Sequence, residues 1–308
     1  MDYDVIIIGA GPAGLASGLY AGRARLKVLI LEKLSCGGQV LLTEKIENYP
    51  GFSGEAASFD LMANMQKQVK DLGVDICTEQ VVGIAKDGHL WYIKTDSKEY
   101  KAGAVIVAVG SVPKKLGLQK EELLTGKGIS YCATCDGPLY RGKVVAVVGG
   151  GDTAVEEALF LTRFADKVFL IHRRDRLRAT EILGQRAKAN KKIVFCWDSV
   201  IDKIVGEEKL EGLILENVKD KTKKELVCDG VFVYVGRSPD TQFLEDLVEV
   251  DEHGHIITDE HMRTGQAGLF AAGDCRKKIL RQVVTAASDG AIAAFCAQQY
   301  LESLDEEK

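Results

Sequence analysis

Two stretches of the chain carry the same succession of apolar and polar positions. Residues 5–33 read VIIIGAGPAGLASGLYAGRARLKVLILEK, and residues 145–173 read VAVVGGGDTAVEEALFLTRFADKVFLIHR. They align without a gap at an offset of 140 residues, which places Gly9 on Gly149, Gly11 on Gly151, Gly14 on Ala154 and Glu32 on His172. In each copy an apolar run (residues 5–8; 144–148) meets a glycine turn, then a helical stretch, then a second apolar run (28–31; 168–171). Short unbroken β-branched runs predict buried strands, and the helix between them makes their connection parallel. The chain therefore predicts a β-α-β unit, written twice.

A second echo follows at an offset of 126 residues, where VIVAVGSVP (105–113) matches VFVYVGRSP (231–239). Ahead of each echo, residues 91–94 and 213–218 read as extra strands. Farther on, Phe270-Ala-Ala-Gly273-Asp274 predicts a short strand, and Arg281-Gln282 opens an apolar helical stretch from Val283 to Tyr300. Residues 243–308 bring no glycine turn of this kind, so they are expected to return to the first unit, with the second unit inserted into it. The fold class is α/β: two Rossmann-like dinucleotide-binding domains, each with a central parallel sheet and a small β-meander.

The glycine spacing carries chemistry. The first glycine allows a tight turn, the second lets a pyrophosphate approach the backbone, and a third glycine or alanine lets helix and strand pack closely. The phosphate then meets the unpaired N–H groups and positive dipole of a helix N-terminus. One such turn is weak; two, each between a strand and a helix, are specific. The end of the second strand selects the nucleotide. Glu32 accepts hydrogen bonds from a ribose 2′-hydroxyl and repels a 2′-phosphate, which suits FAD or NAD. His172, Arg173 and Arg174, with Arg178 beyond them, offer guanidinium forks to a 2′-phosphate, which suits NADPH. Two nucleotide sites on one chain imply a hydride relay from nicotinamide to flavin.

Composition narrows the setting. At 308 residues the chain is long enough for two domains. Its net charge of −5 gives no basic face for a nucleic acid. The N-terminus lacks the charged and apolar regions of a secretory signal, and no apolar run nears the ~20 residues of a membrane span. A cytoplasmic location is expected, with most of the eight cysteines reduced. His253, His255 and His261 read as surface residues of exposed turns, and no metal is expected there.

Cys132-Ala-Thr-Cys135-Asp136 stands just before the second unit. Cysteines at this spacing close a small disulfide. The rival reading is half a zinc site, but tetrahedral zinc needs two more ligands, and no second CxxC or CxxH pair exists. A structural thiol pair is the third reading. Asp136 is placed to give a proton to a departing thiolate, or else to serve the turn Asp136-Gly137-Pro138.

The motifs GAGPAG, CATCD, GGGDTA, HRRDRLRA and AGD, in this order and spacing, resemble those of the low-molecular-weight thioredoxin reductases over essentially the whole chain. The resemblance implies a homodimer with an FAD domain at 1–111 plus 243–308 and an NADPH domain at 112–242. It implies that Cys135 faces the flavin, that Cys132 forms the mixed disulfide with thioredoxin, and that Asp136 is the general acid. FAD contacts are expected at Gly9, Gly11, Pro12, Ala13, Gly14, Glu32, Lys33, Gly38, Gln39, Asn48, Val82, Ala108, Gly110, Gly273, Asp274, Arg281, Gln282 and Val283. NADPH contacts are expected at Gly149, Gly151, Asp152, Thr153, Ala154, His172, Arg173, Arg174, Arg178, Gly236 and Arg237. Linkers at 112–115 and 236–241 match the hinges of a domain rotation. A glutaredoxin-like or peroxiredoxin-linked partner in place of thioredoxin, and a redox sensor without turnover, remain the alternatives.

Overall fold

A computed structural model describes residues 1–42, 46, 48–52 and 58–306. The chain divides into two compact units, Met1–Val112 with Ser238–Lys308, and Pro113–Arg237. In the first unit it forms β1 (Tyr3–Ile8), α1 (Pro12–Arg23), β2 (Val28–Glu32), α2 (Ser58–Lys70), β3 (Asp75–Thr78), β4 (Val81–Asp87), β5 (Leu90–Thr95) and β6 (Glu99–Val107). It leaves through β7 (Ser111–Pro113). The second unit holds α3 (Glu121–Leu124), β8 (Ile129–Ser130), α4 (Ala133–Asp136), β9 (Val144–Val148), α5 (Asp152–Leu161), β10 (Lys167–Ile171), α6 (Glu181–Ala189), β11 (Ile193–Cys196), β12 (Ser199–Val205), β13 (Gly212–Asn217), β14 (Lys223–Val227) and β15 (Gly230–Val233). The chain returns through β16 (Arg237–Pro239) and ends with β17 (Leu269–Ala271) and α7 (Val283–Glu306).

The first unit's sheet runs β3-β2-β1-β6-β5-β4, with β17 also on β6. Its core strands are parallel, while β4, β5 and β6 make the antiparallel meander. β6 is long enough to pair twice on one edge: residues 99–102 meet β5, and residues 105–107 meet β17. That second pairing draws the C-terminal segment back to the first unit. The second unit has an all-parallel sheet, β11-β10-β9-β15-β8, and a separate antiparallel meander, β12-β13-β14.

The period of two along each central strand splits the core into layers. Val5 and Ile7 pack with Leu15, Val69 and Ala293 on one face of the sheet, and Ile6 and Ile8 with Trp91, Leu244 and Leu269 on the other. In the second unit Val145 and Val147 join Leu161 and Phe232, while Ala146 and Val148 join Ile201 and Leu213. α1 and α7 pack directly, with Ser17 Oγ donating to Gly290 O at 3.0 Å.

One histidine departs from expectation. His255 is buried, its N–H on Asp251 Oδ1 at 2.9 Å and its Nδ1 3.2 Å from the same oxygen. The turn folds inward because Ile256 beside it is fully buried and its N–H donates to Cys275 O. Among the described residues no helix is long and apolar enough to cross a membrane.

Candidate active site

The two glycine turns share a geometry imposed by close backbone contact. A Cβ on Gly14 would stand 1.8 Å from Gly9 O, so α1 starts that close to the end of β1 only because residue 14 has no side chain. Ala154 takes the corresponding place in α5 and is buried. Beside Gly11 and Gly151 nothing lies within 4 Å of a Cβ position, and neither helix start carries a side-chain cap. The backbone at both helix starts is therefore approachable and its first-turn N–H groups have no side-chain cap, an arrangement that fits a pyrophosphate in each unit.

The strand ends differ. Glu32 Oε2 accepts the Ala10 N–H at 2.8 Å, and Oε1 that of Leu34 at 3.0 Å. His172 is buried against Gly150 instead, where a Cβ would come within 2.4 Å of the imidazole. Burial and the charges of Arg178, Arg174 and Arg173 hold its pKa below the usual histidine value, so the ring is neutral. Those three arginines are exposed. The N–H groups of Arg178 and Ala179 both donate to Gly150 O, and Asp152 Oδ1 takes the Thr180 N–H at 2.6 Å, which folds the arginine loop onto the nucleotide turn.

In the first unit the expected flavin residues gather from distant segments. Asn48 Nδ2 donates to Gln282 Oε1 at 2.9 Å, across 234 residues of sequence. Lys33 pairs with Asp240 at 2.6 Å, and Val82 lies exposed on β4. Ala108 and Gly273 are buried, Gly38, Gly110 and Asp274 are half-buried, and Gln39 and Arg281 are exposed. The loop carrying Gly273 and Asp274 is fastened by Asp289, which the sequence analysis did not single out. Asp289 Oδ2 accepts from Gly273 N at 3.1 Å, Arg276 Nε at 2.9 Å and Lys278 Nζ at 2.6 Å, and Arg276 Nη2 reaches Oδ1 at 3.2 Å. Two cations on one buried carboxylate fix the loop to α7.

Cys132 and Cys135 are disulfide-bonded, with Cα atoms 5.4 Å apart. Cys132 caps α4 and is half-buried, while Cys135 is exposed. The turn is held from three sides. Ser130 Oγ takes the Cys132 N–H at 3.0 Å, Asp136 N–H donates to Cys132 O at 3.2 Å, and Ala133 N–H donates to the Tyr234 hydroxyl at 2.9 Å. Asp136 ends α4 half-buried, followed by a 3-10 turn at Gly137–Tyr140. The Gly236 carbonyl accepts from Lys114 N at 2.9 Å, joining the segments through which the chain enters and leaves the unit. The six other cysteines are unpaired. Burial pushes Cys228 and Cys275 up to about 12, which leaves them as inert thiols.

Two further residues escaped the sequence analysis. Glu157 on α5 is buried, and its carboxyl is pushed up to about 8 by that burial and by the Glu156 charge. Tyr234 is pushed up by burial and then by the charge of Glu157. Both lie inside the repeated segments, but nothing in those repeats marks them as partners; their positions on α5 and just after β15 bring them together.

A disulfide and a nucleotide turn in one unit, with a second nucleotide turn in the other, define a pyridine-nucleotide-linked disulfide oxidoreductase. The family model "Pyridine nucleotide-disulphide oxidoreductase" matches residues 3–290. The chain belongs to that family and, within it, to the low-molecular-weight thioredoxin reductases. It is 45% identical over 303 residues to thioredoxin reductase of Treponema pallidum, covering 98% of each chain. It is 46% identical over 308 residues to that of Peptoclostridium litorale, again covering 98% of each. The crystal structure of Lactococcus lactis thioredoxin reductase in its FR conformation superposes with a TM-score of 0.95 at 44% identity, covering 98% of this chain and 99% of that one.

Proposed function

We propose that the protein is an NADPH-dependent thioredoxin-disulfide reductase that carries FAD in the first unit and binds NADPH in the second. The observation that carries this reading is the Cys132–Cys135 disulfide in the unit whose nucleotide turn is bordered by Arg173, Arg174 and Arg178. The open N-terminal turn of α1, Glu32, and the Asp274 loop with Asn48 and Gln282 are the residues that hold FAD. When bound, FAD supplies the relay that takes a hydride from NADPH and passes two electrons to the disulfide.

The chain's own residues complete the chemistry. Cys135 receives the electron pair, Asp136 gives a proton to the sulfur that leaves, and Cys132 attacks the thioredoxin disulfide. Two thiols on thioredoxin are formed and the Cys132–Cys135 bond closes again. The three arginines bind the 2′-phosphate, with Asp152, Thr153, Gly236 and Arg237 along the rest of the nucleotide. The protein works as a homodimer in the cytoplasm. Apolar residues left exposed on α1, α2 and α7, among them Tyr20, Phe59, Ile292 and Phe295, are available for self-association, and six unpaired cysteines suit a reducing compartment.

The test is steady-state NADPH oxidation by the purified yellow protein with thioredoxin, a glutaredoxin and a peroxiredoxin from one source. Thioredoxin is expected to give the highest kcat/KM. A higher value for either other protein, or a colourless folded protein, overturns the reading.

A further inference from the structure

Tyr234 touches both working parts of the second unit. Its N–H donates to Val148 O at 2.8 Å, and its own carbonyl O lies 2.5 Å from where a Cβ on Gly149 would stand, so its backbone closes the nucleotide turn. From that fixed backbone its hydroxyl accepts the N–H of Ala133, a fully buried residue between the two cysteines. In the duplicated chain Tyr234 stands opposite Ala108, so the hydroxyl occurs only in the copy that carries the disulfide.

We propose that Tyr234 is a positioning residue that sets the reduction potential of the Cys132–Cys135 pair by holding the Ala133 amide. Reduction breaks the S–S bond, and two electrons with two protons convert it to two thiols. While the bond is closed, the covalent ring itself holds the turn in which Cys135 N–H lies 3.1 Å from Cys132 Sγ. Once it is broken, the turn is held by hydrogen bonds alone, those of Ser130, Asp136 and Tyr234 among them. Without the hydroxyl, the buried Ala133 N–H has no acceptor and the turn must relax to find one. The closed ring cannot make that adjustment and bears the full cost of the unpaired amide, whereas the dithiol relaxes and bears less, so the pair becomes easier to reduce. The inference depends on the redox role of the two cysteines and not on which nucleotide fills either turn.

The experiment compares wild-type and Tyr234→Phe holoenzyme equilibrated at one pH with mixtures of reduced and oxidised dithiothreitol. The reagent supplies the two electrons and two protons and is itself oxidised to its cyclic disulfide. Alkylation and mass measurement then give the fraction of Cys132–Cys135 reduced. The equilibrium constant for reduction is expected to rise about tenfold, equivalent to ~30 mV more positive for a two-electron couple. The flavin midpoint is expected to stay in place. A constant within about twofold of wild type overturns the proposal, as does an equal shift of the flavin midpoint, which marks general loosening.

A second variant tests the route through Ala133. Proline is tolerated at a first helical position, and the Cys132 backbone before it is extended (φ −141°, ψ 98°) and not helical, which a following proline accepts with a modest change in ψ. Tyr234→Phe combined with Ala133→Pro removes acceptor and donor together, and is expected to return the constant to within about threefold of wild type. Absence of recovery shows that Tyr234 does not act through that amide and overturns the assignment.

Discussion

The N–H of Ala10 donates to Glu32 Oε2 at 2.8 Å, tying the end of β2 to the first nucleotide turn. The corresponding pair in the second unit is Gly150 and His172, and there the tie is made by packing, the buried imidazole lying against the glycine. The two copies thus solve one structural problem with a carboxylate in one case and a neutral ring in the other. The carboxylate carries charge into its site, whereas the ring leaves all the charge of the second site to the arginines.

Arg173 and Arg174 should accordingly decide the choice of nicotinamide cofactor. Charge-assisted contacts of this kind contribute roughly 1.5–3 kcal/mol. Arg173→Ala and Arg174→Ala are each expected to raise KM for NADPH by about 10–100-fold and to leave that for NADH nearly unchanged. Initial rates with both nucleotides check this; an unchanged preference removes the 2′-phosphate assignment.

The contact of residue 14 with Gly9 O leaves no room for a side chain. Gly14→Val is expected to push α1 away from β1, opening the first nucleotide turn and stripping the protein of flavin. Flavin absorbance per mole of purified protein is the measurement, and full occupancy would show that the turn is not where FAD is held.

Cys135→Ser separates the two halves of the relay. NADPH should still bleach the flavin at close to the wild-type rate, while thioredoxin turnover falls by on the order of 10³-fold or more. Stopped-flow absorbance and a coupled thioredoxin assay read the two steps, and persistent turnover would contradict the role given to the pair.

Glu157 should make stability depend on pH. Its folded carboxyl titrates at about 8 against an ordinary value of 4.5, so between those limits the folded protein keeps a proton that the unfolded chain releases. Unfolding then gives up a proton, and stability falls as pH rises through that window. Glu157→Gln removes the penalty, which is on the order of a few kcal/mol at its upper end. The variant's Tm should exceed that of wild type by an amount that grows from pH 5 to pH 8; parallel melting curves would exclude a buried protonated carboxyl.

The strands, the glycine turns and the cysteine spacing were legible in the sequence because each depends on neighbours within a few residues. An unbroken apolar run reports a strand buried on both faces. A glycine three positions past Gly11 reports a helix packed against its own strand, and a CxxC reports a ring the chain can close locally. What the sequence did not determine were contacts whose partners lie far apart along the chain. The Tyr234 hydroxyl meets Ala133 across 101 residues, and Asn48 meets Gln282 across 234. Asp289 finds Arg276 and Lys278 only because the loop after β17 doubles back onto α7. His255, polar and in a turn, reads as surface until the burial of Ile256 draws it inward. Local pattern sets which elements form. The burial of their apolar faces sets which polar groups are taken out of water together, and those groups must then satisfy one another wherever the chain has brought them.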